Sequence, residues 1–267
     1  MTEGQKVFRH PALWIPIALA TAACLGIAIK RSIDARAPSR DAHPFVELHA
    51  PRVDHAIAID AEMDGKKVWE SEAGSTGVFK DSRGIGMVPY TEAKVRWGER
   101  MLYFWLYAGD LDLEGSVTDP DGPIDLDDSF HIELAPDDRV YTIEVSVLGT
   151  LADAVCTGTL GAAASERHCD AHWQSGASVA VDRDGTLNRV GDNDEEWIVE
   201  MAIPLSSLGM EKAGAGSRIP FAIRRCDVGA RGPGACGSFG MGEPRGEIVL
   251  DPTSVDGVQL AGAPGRR

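Results

Sequence analysis

The residues best suited to chemistry are the carboxylates of one acidic stretch. Residues 108–128 hold eight Asp or Glu residues among glycines and prolines. Ca²⁺ takes about six to eight oxygen ligands in flexible geometry, so clustered loop carboxylates suit it. We expect Ca²⁺ at Asp110, Asp112, Asp119, Asp121 and Asp125. The alternative is a solvated acidic loop, because the ligand spacing of an EF-hand is missing.

Cysteine chemistry is the second candidate. Four cysteines lie in Gly/Ala-rich loops of the second half of the chain: Cys156, Cys169, Cys226 and Cys236. Their even number predicts two disulfides with three possible connectivities, of which the local pairs 156–169 and 226–236 are the simplest. Four free thiols are the alternative. No CxxC pair is present, and His168, Cys169 and His172 form only a small local cluster, so structural zinc is not expected.

Motifs for catalysis and for nucleic-acid binding are missing. The sequence has no G-x-S-x-G elbow, no H-E-x-x-H pair and no glycine-rich phosphate loop. Residues 1–40 carry a net charge of +4 within a chain of −15, which leaves −19 for the remainder. A domain this acidic repels phosphate backbones. We therefore expect neither an enzyme nor a nucleic-acid-binding protein.

Short alternating apolar runs between turn residues indicate an all-β antiparallel sandwich. Strands are predicted at 55–60, 92–98, 101–108, 128–135, 140–147, 177–181, 197–203, 218–225 and 246–250. Residues 91–110 predict a hairpin turning at Gly98. Its second strand is apolar on both faces, so we expect both faces to be buried. A single helical turn is predicted at 204–209.

An uncharged apolar segment at residues 11–29 precedes this domain. It is just long enough to cross a bilayer as a helix, so we expect a single-pass signal anchor in the inner membrane. A cleaved signal peptide and a lipid anchor at Cys24 are the alternatives. Basic residues after the segment favour a cytoplasmic domain, but the cysteines favour an extracytoplasmic, periplasmic one, which we expect. The predicted organisation is anchor (1–30), linker (31–45), sandwich (46–260) and flexible tail (261–267).

Four stretches in order resemble one family. They are AIDAEMDGKKVW (58–69), TEAKVRWGERMLYFWLYAGD (91–110), DLDDSFHIEL (125–134) and EEWIVEMAIPLSSLG (195–209), the last followed by IPFAIRRCD (219–227). This pattern is similar to family 9 carbohydrate-binding modules and their DOMON-like relatives. The resemblance implies a jelly-roll-like sandwich in which Trp69 and Trp197 are core residues.

The resemblance also implies a glycan ligand. The two tryptophans that clamp sugar in this family have no counterpart, since Asp125 lies near one position and 236–250 contains no tryptophan. A substitute aromatic platform is expected from Trp97, Trp105, Trp173, Tyr90 and Phe239. We expect a membrane-tethered extracytoplasmic module that binds carbohydrate or envelope glycan. The alternatives are an envelope scaffold protein with a degenerate site, and a haem domain using Met87, Met241 or His131.

Overall fold

Strands form where apolar and polar side chains alternate. In a computed structural model, the described residues are 45–62, 66–80, 86, 89–161, 166–189, 191–228 and 245–255. Their eleven strands are β1 (Phe45–Arg52), β2 (Thr91–Trp97), β3 (Met101–Gly109), β4 (Ser129–Leu134), β5 (Arg139–Ser146), β6 (Leu151–Thr157), β7 (His168–Asp170), β8 (Ser178–Asp184), β9 (Glu196–Pro204), β10 (Arg218–Cys226) and β11 (Arg245–Ser254). Short 3₁₀ turns lie at Lys67–Trp69, Ile124–Leu126 and Leu205–Leu208.

The strands form one curled sheet in the order β7-β6-β5-β4-β10-β11-β1-β2-β3-β9-β8. Neighbouring strands are antiparallel, except that β1 runs parallel to both β11 and β2. Strands that are far apart in this order meet in the core, where the rings of Phe130 (β4) and Trp197 (β9) have centroids 4.9 Å apart. The two halves of the sheet therefore face each other across one hydrophobic core, as in a sandwich.

The main elements of the sequence prediction are present. The β2–β3 hairpin turns at Gly98, whose N–H donates to the Met101 carbonyl at 2.9 Å. The predicted turn at 204–209 is the 3₁₀ turn that ends at Gly209, where φ is +69° and glycine is favoured. Trp69 and Trp197 are both buried, as expected.

The predicted strand at 55–60 is wrong, because this segment crosses the outer face of the sheet as a loop. Its backbone bonds a side chain, Glu200, instead of a strand partner. Strands β1, β6 and β7 have no counterpart in the sequence prediction. β6 is rich in alanine and β7 has only three residues, so neither has the strong alternation that identifies a strand.

The N-terminal predictions lie outside the described residues. Contacts divide the chain into residues 1–42 and 43–267, and every described residue lies in the second unit. The apolar segment 11–29 and the tail 261–267 both belong to the part that is not described. Within the described ranges, no helix combines the length and apolar character needed to span a bilayer.

Candidate functional site

The two faces of β3 have different surroundings. Its core-facing residues are fully buried: Leu102, Phe104 and Leu106. On the outer face Tyr103 is buried in a second small cluster, whereas Trp105 and Tyr107 are only partly buried. Ile57, Ile59, Val68 and Trp69 pack in that cluster with Tyr103. The prediction that both faces of β3 are buried is thus correct at Tyr103, but Trp105 and Tyr107 are only partly buried.

The uncovered rings of β3 line a groove of about 360 Å³. Its lining residues are Lys66, Trp69, Glu70, Tyr90, Lys94, Trp105, Tyr107, Glu196 and Ile198. Trp105 and Tyr107 stack with centroids 5.7 Å apart and planes inclined by 28°. Tyr90 meets Tyr107 edge-on at 5.5 Å. Three aromatic rings therefore form one continuous surface with charged groups around it.

The hydroxyl groups of both groove tyrosines donate to carboxylates. Tyr90 Oη donates to Glu92 Oε2 at 2.6 Å, and Tyr107 Oη donates to Glu196. Burial and the bonded carboxylate raise the pKa of Tyr90 to about 12, and the same causes raise the pKa of Tyr107. Both phenols stay protonated at neutral pH. Their hydroxyl bonds fix the orientation in which the rings face the groove.

A buried carboxylate holds one wall of the groove in place. Glu200 of β9 is fully buried and accepts hydrogen bonds from Trp69 Nε1 at 2.8 Å and from the Ala61 N–H at 2.9 Å. Lys66 Nζ lies 2.5 Å from the same carboxylate. Glu200 belongs to the fourth sequence motif (195–209), and its three partners belong to the first (58–69). The carboxylate therefore joins the first motif to the sheet through direct contacts.

A buried arginine holds the adjoining segment. The guanidinium of Arg96 donates to four backbone carbonyls, that of Val95 on its own strand and three in this segment: Val68, Ser71 and Ala73. It also lies 5.2 Å from the centroid of the Trp69 ring. Burial lowers the pKa of Arg96 to about 10, so the group is still charged at neutral pH. This wall of the groove is thus fixed by the fold itself.

Two of the five predicted sugar-binding aromatics, Trp105 and Tyr90, line the groove. Trp97 does not, because it is buried in the core, where its indole N–H donates to the Asp251 carbonyl at 2.8 Å. Trp173 is also elsewhere, partly buried against another ring, that of Tyr141, at 5.3 Å. Phe239 lies outside the described residues.

Tyr107 is a groove residue that the sequence prediction does not include. It lies two positions after Trp105 on the same strand, so the two side chains share a face. That alternation is visible in the sequence. There it indicates a strand buried on both sides, and so it gives no reason to expect Tyr107 at a binding surface.

The aspartates predicted to bind Ca²⁺ have different environments. Asp110 is buried, Asp112 is partly buried, and three are exposed: Asp119, Asp121 and Asp125. Among the residues that the structure describes, no three His, Cys, Asp or Glu side chains are arranged to hold a metal ion. Calcium binding by this loop stays a prediction from the sequence.

A second cavity, of about 470 Å³, lies beside the acidic loop. Its lining includes Asp121, Asp153 and Gln174 and contains no aromatic ring. Asp153 Oδ2 accepts the Ser175 N–H at 2.8 Å. Without an aromatic face, this cavity offers little surface on which the C–H face of a sugar could pack.

A buried charged cluster ties the acidic loop to the sheet. Three carboxylates gather near the buried guanidinium of Arg225: Asp110, Asp128 and Asp227. Arg225 Nη2 lies 2.8 Å from Asp110 Oδ2, and Asp128 Oδ2 accepts the Glu114 N–H at 2.6 Å. Burial, with a contribution from the nearby Asp110, raises the pKa of Asp128 to about 8. These contacts assign Asp110 and Asp128 a structural role.

One predicted disulfide is present. Cys156 and Cys169 are bonded and lie opposite each other on β6 and β7. Cys226 is also disulfide-bonded, and Cys236 lies outside the described residues. The bond at Cys169 removes the thiolate from the local histidine–cysteine cluster, which therefore lacks the ligand that zinc would favour.

A Ser–His–Glu group on β4 and β5 has the distances of a catalytic triad. His131 Nε2 lies 3.2 Å from Ser129 Oγ, and His131 Nδ1 lies 3.0 Å from Glu144 Oε1. Ser129 is nevertheless fully buried, and its hydroxyl donates to the Asp127 carbonyl at 3.0 Å. In this arrangement the oxygen has no access to a substrate, so the group serves to join the two strands.

Comparison with known proteins returns no matching family model and no matching curated protein. Among solved structures, the chain is similar to a Bacteroides uniformis protein thought to bind carbohydrate, with 14% identity over 77% of this chain and 99% of the other and a TM-score of 0.49. It is also similar to a family 9 carbohydrate-binding module of Caldicellulosiruptor kristjanssonii. The structure of that module with cellotriose has 15% identity over 82% of this chain and 100% of the other, with a TM-score of 0.48. Its structure with glucose has 16% identity over 80% of this chain and 98% of the other, with a TM-score of 0.45. These are proteins of the kind that the four motifs resemble, and at these values the likeness says nothing of what this chain binds.

Proposed function

We propose that this chain binds glycan, without catalysis, in the groove lined by Trp105, Tyr107 and Tyr90. The observation that carries the proposal is the continuous surface of three aromatic rings, left partly uncovered on the outside of a rigid sheet. Soluble proteins bury most of their large aromatic side chains, so neighbouring uncovered rings indicate a binding surface.

Sugar chemistry fits this surface better than a purely apolar ligand does. A pyranose ring has a C–H-rich face that packs on aromatic rings, and hydroxyl groups at its edge that need polar partners. The groove supplies both, because Lys66, Glu70 and Glu196 surround the rings. The hydrogen bonds of Glu200 and Arg96 fix the wall before a ligand arrives, which lowers the entropic cost of binding.

Isothermal titration of the full chain with a panel of mono- and oligosaccharides tests the proposal. We expect saturable binding to at least one glycan and an affinity about tenfold lower in Trp105→Ala, as is typical for loss of a central aromatic contact. Tyr90→Ala provides a second variant, since Tyr90 is exposed and lies outside the strands. Trp173→Ala is the matched control, because this ring lies outside the groove. No saturable binding, or equal affinity in Trp105→Ala and wild type, would refute the proposal.

Incubation with the glycan that binds separates binding from hydrolysis. For a purely binding role, prolonged incubation with the bound glycan should release no new reducing ends, because hydrolysis needs a pair of carboxyl groups that flank the glycosidic bond. Appearance of reducing ends that a groove variant abolishes would contradict a purely binding role.

We further propose that the domain lies outside the inner membrane and is anchored through residues 11–29. The uncharged apolar segment supports the anchor, and the Cys156–Cys169 disulfide supports an oxidising compartment. Membrane fractionation followed by protease accessibility in spheroplasts tests both points. A soluble protein, or a domain protected from external protease, would contradict the proposed location.

A further inference from the structure

The groove is more acidic than its lining suggests, because both of its lysines are neutralised. Lys66 Nζ pairs with Glu200 at 2.5 Å and also with Asp60. Lys94 Nζ pairs with Glu72 at 2.8 Å and lies 5.3 Å from the centroid of the Trp105 ring. Neither ammonium group is therefore available to attract an anionic ligand.

The carboxylates at the edge of the groove are not neutralised in this way. Glu70 is exposed and Glu196 accepts only the Tyr107 hydroxyl, and neither has a basic partner among the described residues. On the neighbouring strand β8, Asp182 lies opposite Ile198 and Asp184 lies opposite Glu196. Directly opposed residues share a face of the sheet. A row of negative charge therefore borders the aromatic surface.

We propose that the groove prefers glycans that carry a free ammonium group, such as chains of 2-amino-2-deoxy sugars; this inference rests on the proposed function. The faces of aromatic rings attract cations, and carboxylates beside them add charge-assisted hydrogen bonds. The pyranose face packs on Trp105 and Tyr107, and the ammonium group lies towards Glu196. Polyuronic acids are disfavoured, because their carboxylates meet the acidic row and no free cation of the described residues lines the groove to compensate.

Calorimetric titration with four matched oligosaccharides tests the inference: glucosamine oligomers, their N-acetylated counterparts, neutral cello-oligomers and oligogalacturonate. We expect the free amine to bind about fivefold to tenfold more tightly than the acetylated form at low salt. That advantage should disappear at about 1 M salt, where the Debye length is about 3 Å.

Charge-neutralising variants locate the effect. Glu70→Gln and Glu196→Gln should each weaken binding of the amine more than binding of the neutral oligomer, so that the ratio of the two affinities falls. In Glu196→Gln the amide still offers an oxygen to the Tyr107 hydroxyl, so the ring keeps its orientation. Glu211→Gln is the control, because Glu211 is exposed and does not line this groove.

The outcomes distinguish the inference from the proposed function. Equal affinity for amine, acetylated and neutral oligomers, with weaker binding in Trp105→Ala, would overturn the inference and keep the glycan-binding function. Tighter binding of oligogalacturonate would also overturn it. Failure of every oligosaccharide to bind would refute the proposed function itself.

Discussion

Removal of the Glu200 carboxylate should destabilise the domain and weaken the groove together. In Glu200→Ala the buried Trp69 N–H and the Ala61 N–H lose their acceptor, and each unsatisfied donor costs about 1–3 kcal/mol. Lys66 retains Asp60, so its own contribution is small. Two such donors together cost about 2–6 kcal/mol. Breaking a buried ion pair costs about 3–5 kcal/mol, so we expect a loss within that narrower range.

Urea unfolding followed by tryptophan fluorescence measures this loss. With a slope of about 3 kcal/mol per molar urea, the midpoint should fall by roughly 1–1.7 M. Glu200→Gln retains one oxygen and should give a smaller shift. Glu47→Gln is the control, because Glu47 forms only exposed contacts and its loss should leave the midpoint unchanged.

Binding supplies a second readout, since Glu200 itself does not line the groove. Under native conditions Glu200→Gln should bind glycan more weakly, because Lys66, Trp69 and Glu70 belong to the segment that it holds. A Glu200→Ala midpoint within about 0.2 M of wild type, with unchanged affinity, would refute this account of how the wall is fixed.

Three further predictions concern the groups that support the site. The raised pKa of Asp128 means that the folded state binds more protons than the unfolded state between about pH 4 and 8. The free energy of unfolding should therefore fall as pH rises across this interval and level off above about pH 8. Asp128→Asn should flatten that dependence, and an unchanged profile would count against it. Replacement of both Cys156 and Cys169 by serine should cost about 3 kcal/mol, measured as the difference in urea midpoint, because the bond closes a loop between residues 13 apart. Arg96→Lys should lower stability by about 2–3 kcal/mol and weaken glycan binding, since an ammonium cannot reach all the carbonyls that the guanidinium bonds; wild-type affinity would contradict this.

Much of the fold could be predicted from local alternation. The β2–β3 hairpin is evident from two β-rich runs joined at Gly98, and β9 from the alternating residues after Glu196. The segment 55–60 has the same alternation but forms a loop. The Asp60 N–H of this segment donates to the carboxylate of Glu200, 140 residues away, and local patterns carry no information about such a contact.

The site could be predicted only in part for a related reason. The sequence shows that Trp105 and Tyr107 share a face, but it does not show that the covering segment leaves that end of the face open. Trp97 illustrates the opposite case, since it has the same residue type and lies on the neighbouring strand, yet it is buried in the core. Which aromatic rings are uncovered is decided by tertiary packing, in particular by the contacts of Trp69 with Glu200 and Arg96.

The central claim is that the aromatic surface of the groove is where sugar binds. A crystal structure of the full chain with the glycan that titrates most tightly tests it most directly. We predict a pyranose ring within about 4 Å of both Trp105 and Tyr107. A sugar bound instead in the polar cavity beside Asp121 and Gln174, with the groove free of ligand, would contradict the account.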